Sequence, residues 1–258
     1  MTQTSSMTVE DYMKELVRPK LSHTIIVSGK DSRLHTVFNP PLNLASCQHE
    51  MALLQLDTYY SFPNIGPLNN SVKLSVDNGV TWKIVSIPTG CYEIEGINSE
   101  LQRLIVKEIA GGKAGKVVLS PNNNTLRCIL DIKDVNYRVD FAIENSLRTV
   151  LGFEGKIYNH GRWESENLVD IMNVNTIMVH CDVIGATRVN GVEAPVIYTF
   201  FPNASPGDKI VSLPRHLTYV PITLDIISHL TCWLTDQDGR ELNLRGETLT
   251  ITFYIKAC

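Results

Sequence analysis

The segment Thr248–Lys256 constrains this chain more than any other. In it Leu249, Ile251, Phe253 and Ile255 alternate with Thr248, Thr250, Thr252, Tyr254 and Lys256. A period of two places the sets on opposite faces of an extended strand, and it is incompatible with the 3.6 period of a helix. One face must meet a core while the other stays polar, as in an antiparallel sheet covered on one side.

The same grammar recurs along the chain. His23–Ser28 and Arg33–Phe38 flank the turn residues Gly29-Lys30-Asp31, and Glu50–Ser61 forms a longer run. Val72–Val76 and Val80–Pro88 bracket Asp77-Asn78-Gly79, a hairpin signal, with Trp82 and Ile84 on one face and Val85 and Ile87 on the other. Lys116–Leu119 and Thr125–Ile132 bracket a second hairpin at Pro121–Asn124. In Asn175–Val183, Ile177, Val179, Cys181 and Val183 read as the inward set, with Met178, His180 and Asp182 outward. Leu230, Cys232 and Leu234 alternate in the same way before the turn Asp236-Gln237-Asp238-Gly239.

Two helices interrupt the strands. Ser99 and Gln102 fit a capping box ahead of Leu101, Leu104, Ile105 and Ile109, with Gly111-Gly112 as the stop. A shorter helix is expected over Glu144–Leu151, ended by Gly152. Without βαβ alternation, about ten strands and two short helices in loops predict an all-β antiparallel sandwich or barrel. Residues 1–22 form a leader arm and 23–258 one domain. In the leader, Val9, Tyr12, Met13, Leu16 and Val17 make one apolar stripe of a short helix.

Composition excludes several classes of function. At 258 residues and 43% hydrophobic content the chain can build a full core without disulfides or metals. No apolar run reaches the length of a membrane span, and the N-terminus lacks the basic and apolar regions of a secretory signal. The six cysteines are therefore expected as buried free thiols, and the sequons at Asn69, Asn123 and Asn203 as unused. Net charge is −4 with no basic stretch, so strong nucleic-acid binding is not expected.

No catalytic constellation stands out, and the chain is read as neither an enzyme nor a cofactor or metal binder. Gly111–Lys116 lacks the P-loop's first glycine and its Ser/Thr, with Ala110 and Val117 there instead. Asp236 and Asp238 belong to a turn, because Leu234 and Arg245 stand where calcium ligands would be needed. The seven histidines show no metal-ligand spacing, and Glu164 and Glu166 have no asymmetry of environment to make an acid–base pair. What remains is a set of aromatics near turns: Tyr59, Tyr60, Phe62, Tyr198, Phe200, Phe201, Tyr219 and Trp233. They cap the ends of the core, or they make subunit contacts, where aromatics concentrate. Tyr12, Leu16, Tyr59, Tyr60, Phe62, Phe200, Phe201 and Trp233 are the contact candidates.

Several segments together resemble the penton or minor capsid proteins of Polinton/Maverick-type elements and adintoviruses. They are Ser61-Phe62-Pro63-Asn64-Ile65, Asn145-Ser146-Leu147 with Leu151-Gly152-Phe153, and Phe200-Phe201-Pro202 with Ser205-Pro206-Gly207. Asp236–Gly239, followed by Leu244-Arg245-Gly246-Glu247 and a terminal strand, completes the set. The likeness runs from about Leu34 onward. It implies a single jelly roll of two four-stranded sheets, forming homopentamers at the vertices of an icosahedral shell beside a major capsid protein. It implies synthesis in the host cytoplasm and residence in the virion. A trimeric capsomer on the same fold and a cellular β-sandwich binding module are the alternatives. No long insertion able to carry a receptor-binding head is expected.

Overall fold

The terminal alternation becomes a strand, Leu249–Ala257, in which Leu249, Ile251, Phe253 and Ile255 are fully buried while Thr250, Thr252 and Tyr254 face outward, partly exposed. The computed structural model describes residues 22–171, 174–185 and 187–258. The leader stripe, with Tyr12 and Leu16, lies outside the described residues. The residues expected to make one domain gather into two compact units. One joins the described part of Met1–Tyr59 to Thr176–Cys258, and the other is Tyr60–Asn175.

Eight main strands build the first unit: β1 (Ser22–Gly29), β2 (Arg33–Asn43), β3 (His49–Tyr59), β11 (Ile177–Cys181), β14 (Val196–Phe200), β15 (Lys209–Ser212), β17 (Ile226–Thr235) and β18 (Leu249–Ala257). One sheet has the order β1-β18-β3-β15, with the short β16 (Val220–Pro221) also on β3. The other has the order β14-β11-β17-β2. β12 (Arg188–Val189) and β13 (Val192–Glu193) form a separate small hairpin. Counted along the eight, the sheets read 1-8-3-6 and 5-4-7-2, and every pairing is antiparallel. This is the double Greek key of a jelly roll. Gly29–Ser32 therefore does not close a hairpin, because β1 pairs with β18 and β2 with β17.

The second unit is a long insertion between β3 and β11, contrary to the sequence expectation. It holds β4 (Ser71–Ser75), β5 (Lys83–Ser86), β8 (Arg138–Asp140) and β9 (Ile157–Tyr158) in one sheet, ordered β5-β4-β8-β9. A second sheet, β10-β7-β6, comprises β6 (Val117–Asn122), β7 (Arg127–Ile132) and β10 (Gly161–Glu164). Both sheets contribute to one continuous core with α1 (Ile94–Glu108), through residues such as Val72, Leu74, Ile97, Leu101, Leu130 and Val139. Phe141, Phe153 and Tyr158 pack there with ring centres 5.2–5.7 Å apart. The insertion escaped notice because its hairpins have the same alternation as the roll's strands.

Its helices also differ from expectation. α1 begins at Ile94, so Ser99 lies in its interior and its hydroxyl donates back to the Glu95 carbonyl. Gln102 donates to the Val117 carbonyl, and Asn98 accepts from the Leu119 N–H, so both satisfy the open edge of β6. The second helix, α2, is only Arg148–Leu151, and Gly152 ends it at φ 78°.

Candidate subunit-contact surface

The aromatic candidates divide by burial. Tyr60 and Phe62, at the start of the insertion, are buried with ring centres 4.3 Å apart and tilted by 36°. Phe200 is buried beside Tyr198 in the roll. All three are buried. Tyr59, at the end of β3, and Phe201, just after β14, are exposed, Phe201 by 73%. The Phe201 ring is the more open of the two.

Trp233 is half-buried and sits in a cross-strand ladder. His180, Trp233 and Arg33 are direct register partners on β11, β17 and β2. The His180 ring stacks on Trp233 at 4.9 Å and 8°, and the Arg33 guanidinium lies 4.5 Å from the Trp233 ring centre. Arg33 is ion-paired with Glu241. His180 points away from the roll's core, as the alternation requires, yet it is buried rather than open. All of Ile177–Cys181 is buried on both faces, so outward on this strand does not mean solvated. His180 Nε2 lies 2.9 Å from the Thr235 hydroxyl, while its buried Nδ1 has no hydrogen-bond partner among the described residues. Burial, helped by the Arg33 charge, pushes the His180 pKa down and favours the neutral ring.

The sites weighed for chemistry are occupied by structure. Asp236 and Asp238 both bind Arg240, at 2.7 and 2.8 Å, and Asp236 also accepts the Asp238 and Arg240 backbone N–H groups. In the glycine-rich loop the Lys113 N–H donates to the Tyr137 hydroxyl and the Gly115 N–H to Gln102, so neither is free for a phosphate. Glu164 is held by Asn122 and Thr125, and Glu166 by Lys156, Tyr158 and the Glu154 N–H. A recess of about 400 Å³ in the insertion is lined by residues including Arg148, Thr149, Glu154 and Asn167, with no Ser, Cys or His. Among the described residues no group of three or more His, Cys, Asp or Glu is placed to hold a metal, and no helix is long and apolar enough to cross a membrane.

The six cysteines are free. Cys128, Cys181 and Cys232 are buried, and burial pushes each thiol up to about 12. Cys91 is half-buried, whereas Cys47 and Cys258 are exposed, so the expectation of buried thiols holds for only part of the set.

No protein-family model and no curated protein matches the sequence. Solved structures do. The mavirus penton protein superposes with a TM-score of 0.50 at 8% identity, over 93% of this chain and 100% of that one. This chain has the fold of the mavirus penton protein. A chain of the Sputnik virophage, from its cryo-EM structure, aligns with a TM-score of 0.43 at 12% identity, covering 93% of this chain and 98% of that one. The likeness to the mavirus penton protein embraces insertion as well as roll, because 93% coverage cannot be reached without residues 60–175. At 8% identity it is a likeness of architecture, not of particular side chains.

Proposed function

We propose that this chain is a capsid protein, a penton-type jelly-roll capsomer that forms homopentamers at the vertices of an icosahedral virion. The observation that carries this reading is the 1-8-3-6 and 5-4-7-2 strand order of a jelly roll with one folded insertion, in a chain that superposes on the mavirus penton protein over 93% of its length. A shell subunit needs a rigid scaffold whose edges neighbours can cover, and it needs no catalytic centre. The source would be a Polinton/Maverick-type or adintovirus-like element, with the protein made in host cytoplasm and a major capsid protein as its partner.

Within this reading Tyr59, Phe201 and Trp233 are contact residues. The leader, through Tyr12 and Leu16, straps onto a neighbouring capsomer. The deciding experiment is native mass spectrometry with negative-stain microscopy of the purified chain. Five copies in rings support the penton role, three copies indicate a trimeric capsomer, and a persistent monomer across concentration and salt rejects both. Deleting residues 1–22 should leave folding intact and weaken incorporation into shells; equal incorporation would dismiss the strap.

A further inference from the structure

The outer face of the roll's β14-β11-β17-β2 sheet carries two histidines that the capsid reading does not use. His35 on β2 faces Thr231 on β17 in direct register, and His229 lies two residues along β17 on the same face. Both side chains are exposed, and their ring centres are 5.7 Å apart at an interplanar angle of 36°. Each ring is anchored through the same atom. His35 Nδ1 is 3.1 Å from the Thr231 hydroxyl, and His229 Nδ1 is 3.1 Å from the Ser228 hydroxyl.

We propose that His35 and His229 form a binding site for one divalent transition-metal cation of the zinc type, with two imidazole ligands and its remaining positions open to solvent or to a ligand from another molecule. A hydroxyl beside Nδ1 can accept its proton, and in that tautomer the Nε2 lone pair is free, which is the second-shell arrangement usual for ligating histidines. Two imidazoles on one tetrahedral ion, with Zn–N of about 2.0–2.1 Å, place their ring centres about 5 Å apart. The observed ring-centre separation of 5.7 Å lies close to that spacing. Arg33, two residues before His35, is paired with Glu241, and Asp182 beside β11 brings a carboxylate to the Thr231 N–H. His180 is buried against Trp233 and is no competing ligand. The site stands apart from the capsid reading and does not depend on it.

The test uses the full chain with its thiols alkylated by N-ethylmaleimide, so that the exposed Cys47 and Cys258 cannot bind metal. Titration with zinc chloride at pH 7.5 should show one ion per chain, with binding at least tenfold weaker in His35→Gln and in His229→Gln and lost at pH 5. Binding falls with pH because the ligands must be unprotonated. Copper(II), which binds such sites more tightly, should give an electron paramagnetic resonance spectrum with coupling to two imidazole nitrogens, reduced to one in either variant. Unchanged melting temperatures of the variants would show that the fold is intact. No zinc uptake by the parent protein, or equal uptake and an unchanged copper spectrum in both variants, would overturn the proposal.

Discussion

Met51 on β3 and Cys181 on β11 meet sulfur to sulfur, 3.8 Å apart, joining the two sheets of the roll through its core. Both side chains are fully buried. Met51→Ala should destabilise the protein by about 2–5 kcal/mol in urea unfolding, because the space opens between two sheets that cannot both collapse into it.

The thiols should sort by depth. With an aromatic disulfide reagent, Cys47 and Cys258 react first in the native protein, while Cys128, Cys181 and Cys232 titrate only after unfolding, to a total of six. Reductant should leave the melting temperature unchanged. A drop on reduction would reveal a disulfide.

On β18 the two faces should respond unequally. Phe253→Ala should cost about 3–5 kcal/mol, whereas Thr252→Ala should stay within about 0.5 kcal/mol, as measured by chemical denaturation.

The insertion should fold when excised. Its core is internal to residues 60–175, and Asn64 closes its base by donating to the carbonyls of both Tyr92 and Ile171, at 2.7 and 3.1 Å. Circular dichroism of a 60–175 fragment should show a cooperative melt. Asn64→Ala, which removes both hydrogen bonds, should lower its midpoint by several degrees.

Acid should loosen the insertion through Glu166. Partial burial opposes the charged form. Lys156, the Glu154 N–H and the Tyr158 hydroxyl outweigh it and hold this carboxyl at about 2. The unfolded chain returns it to the ordinary carboxylate range near pH 4.3, so the stabilisation is complete above about pH 5 and is lost as pH falls towards 2. Denaturant midpoints measured from pH 6 to pH 2.5 should fall less steeply in Glu166→Gln.

His180 sets a second window in the roll. Its folded pKa is depressed, so the unfolded state takes up the proton first, near pH 6.5. Its contribution is full above about pH 7 and declines as pH falls. His180→Asn should flatten the pH dependence of stability between pH 7 and 5.

How much of this was legible depended on whether a residue's face decided its surroundings. β18 was readable because its outer face is partly solvated, so Thr and Tyr mark the pleat as clearly as Leu and Phe. β11 was not, because His180 leaves the core face only to be covered by Trp233, and no periodicity reports burial on both sides. Ser99 misled because a serine near a helix start and one bonding back to a carbonyl one turn earlier look identical in sequence. The boundary between roll and insertion was silent for a related reason. Strand alternation says which face is covered, never which partner covers it. Tyr59, Phe201 and Trp233 were picked out with Tyr60, Phe62 and Phe200 as one aromatic set, and only packing separates the two groups.

The clasp at Asn64 bears on how such a chain can change over time. A module whose two ends are pinned together by one side chain can be exchanged for a hairpin, or for an unrelated module, by splicing at two neighbouring points. The eight-strand register is specified elsewhere in the chain and need not be rewritten. Residues 60–175 are thus a natural graft site, where foreign sequence could be displayed, or new sequence acquired by recombination, on an unchanged frame.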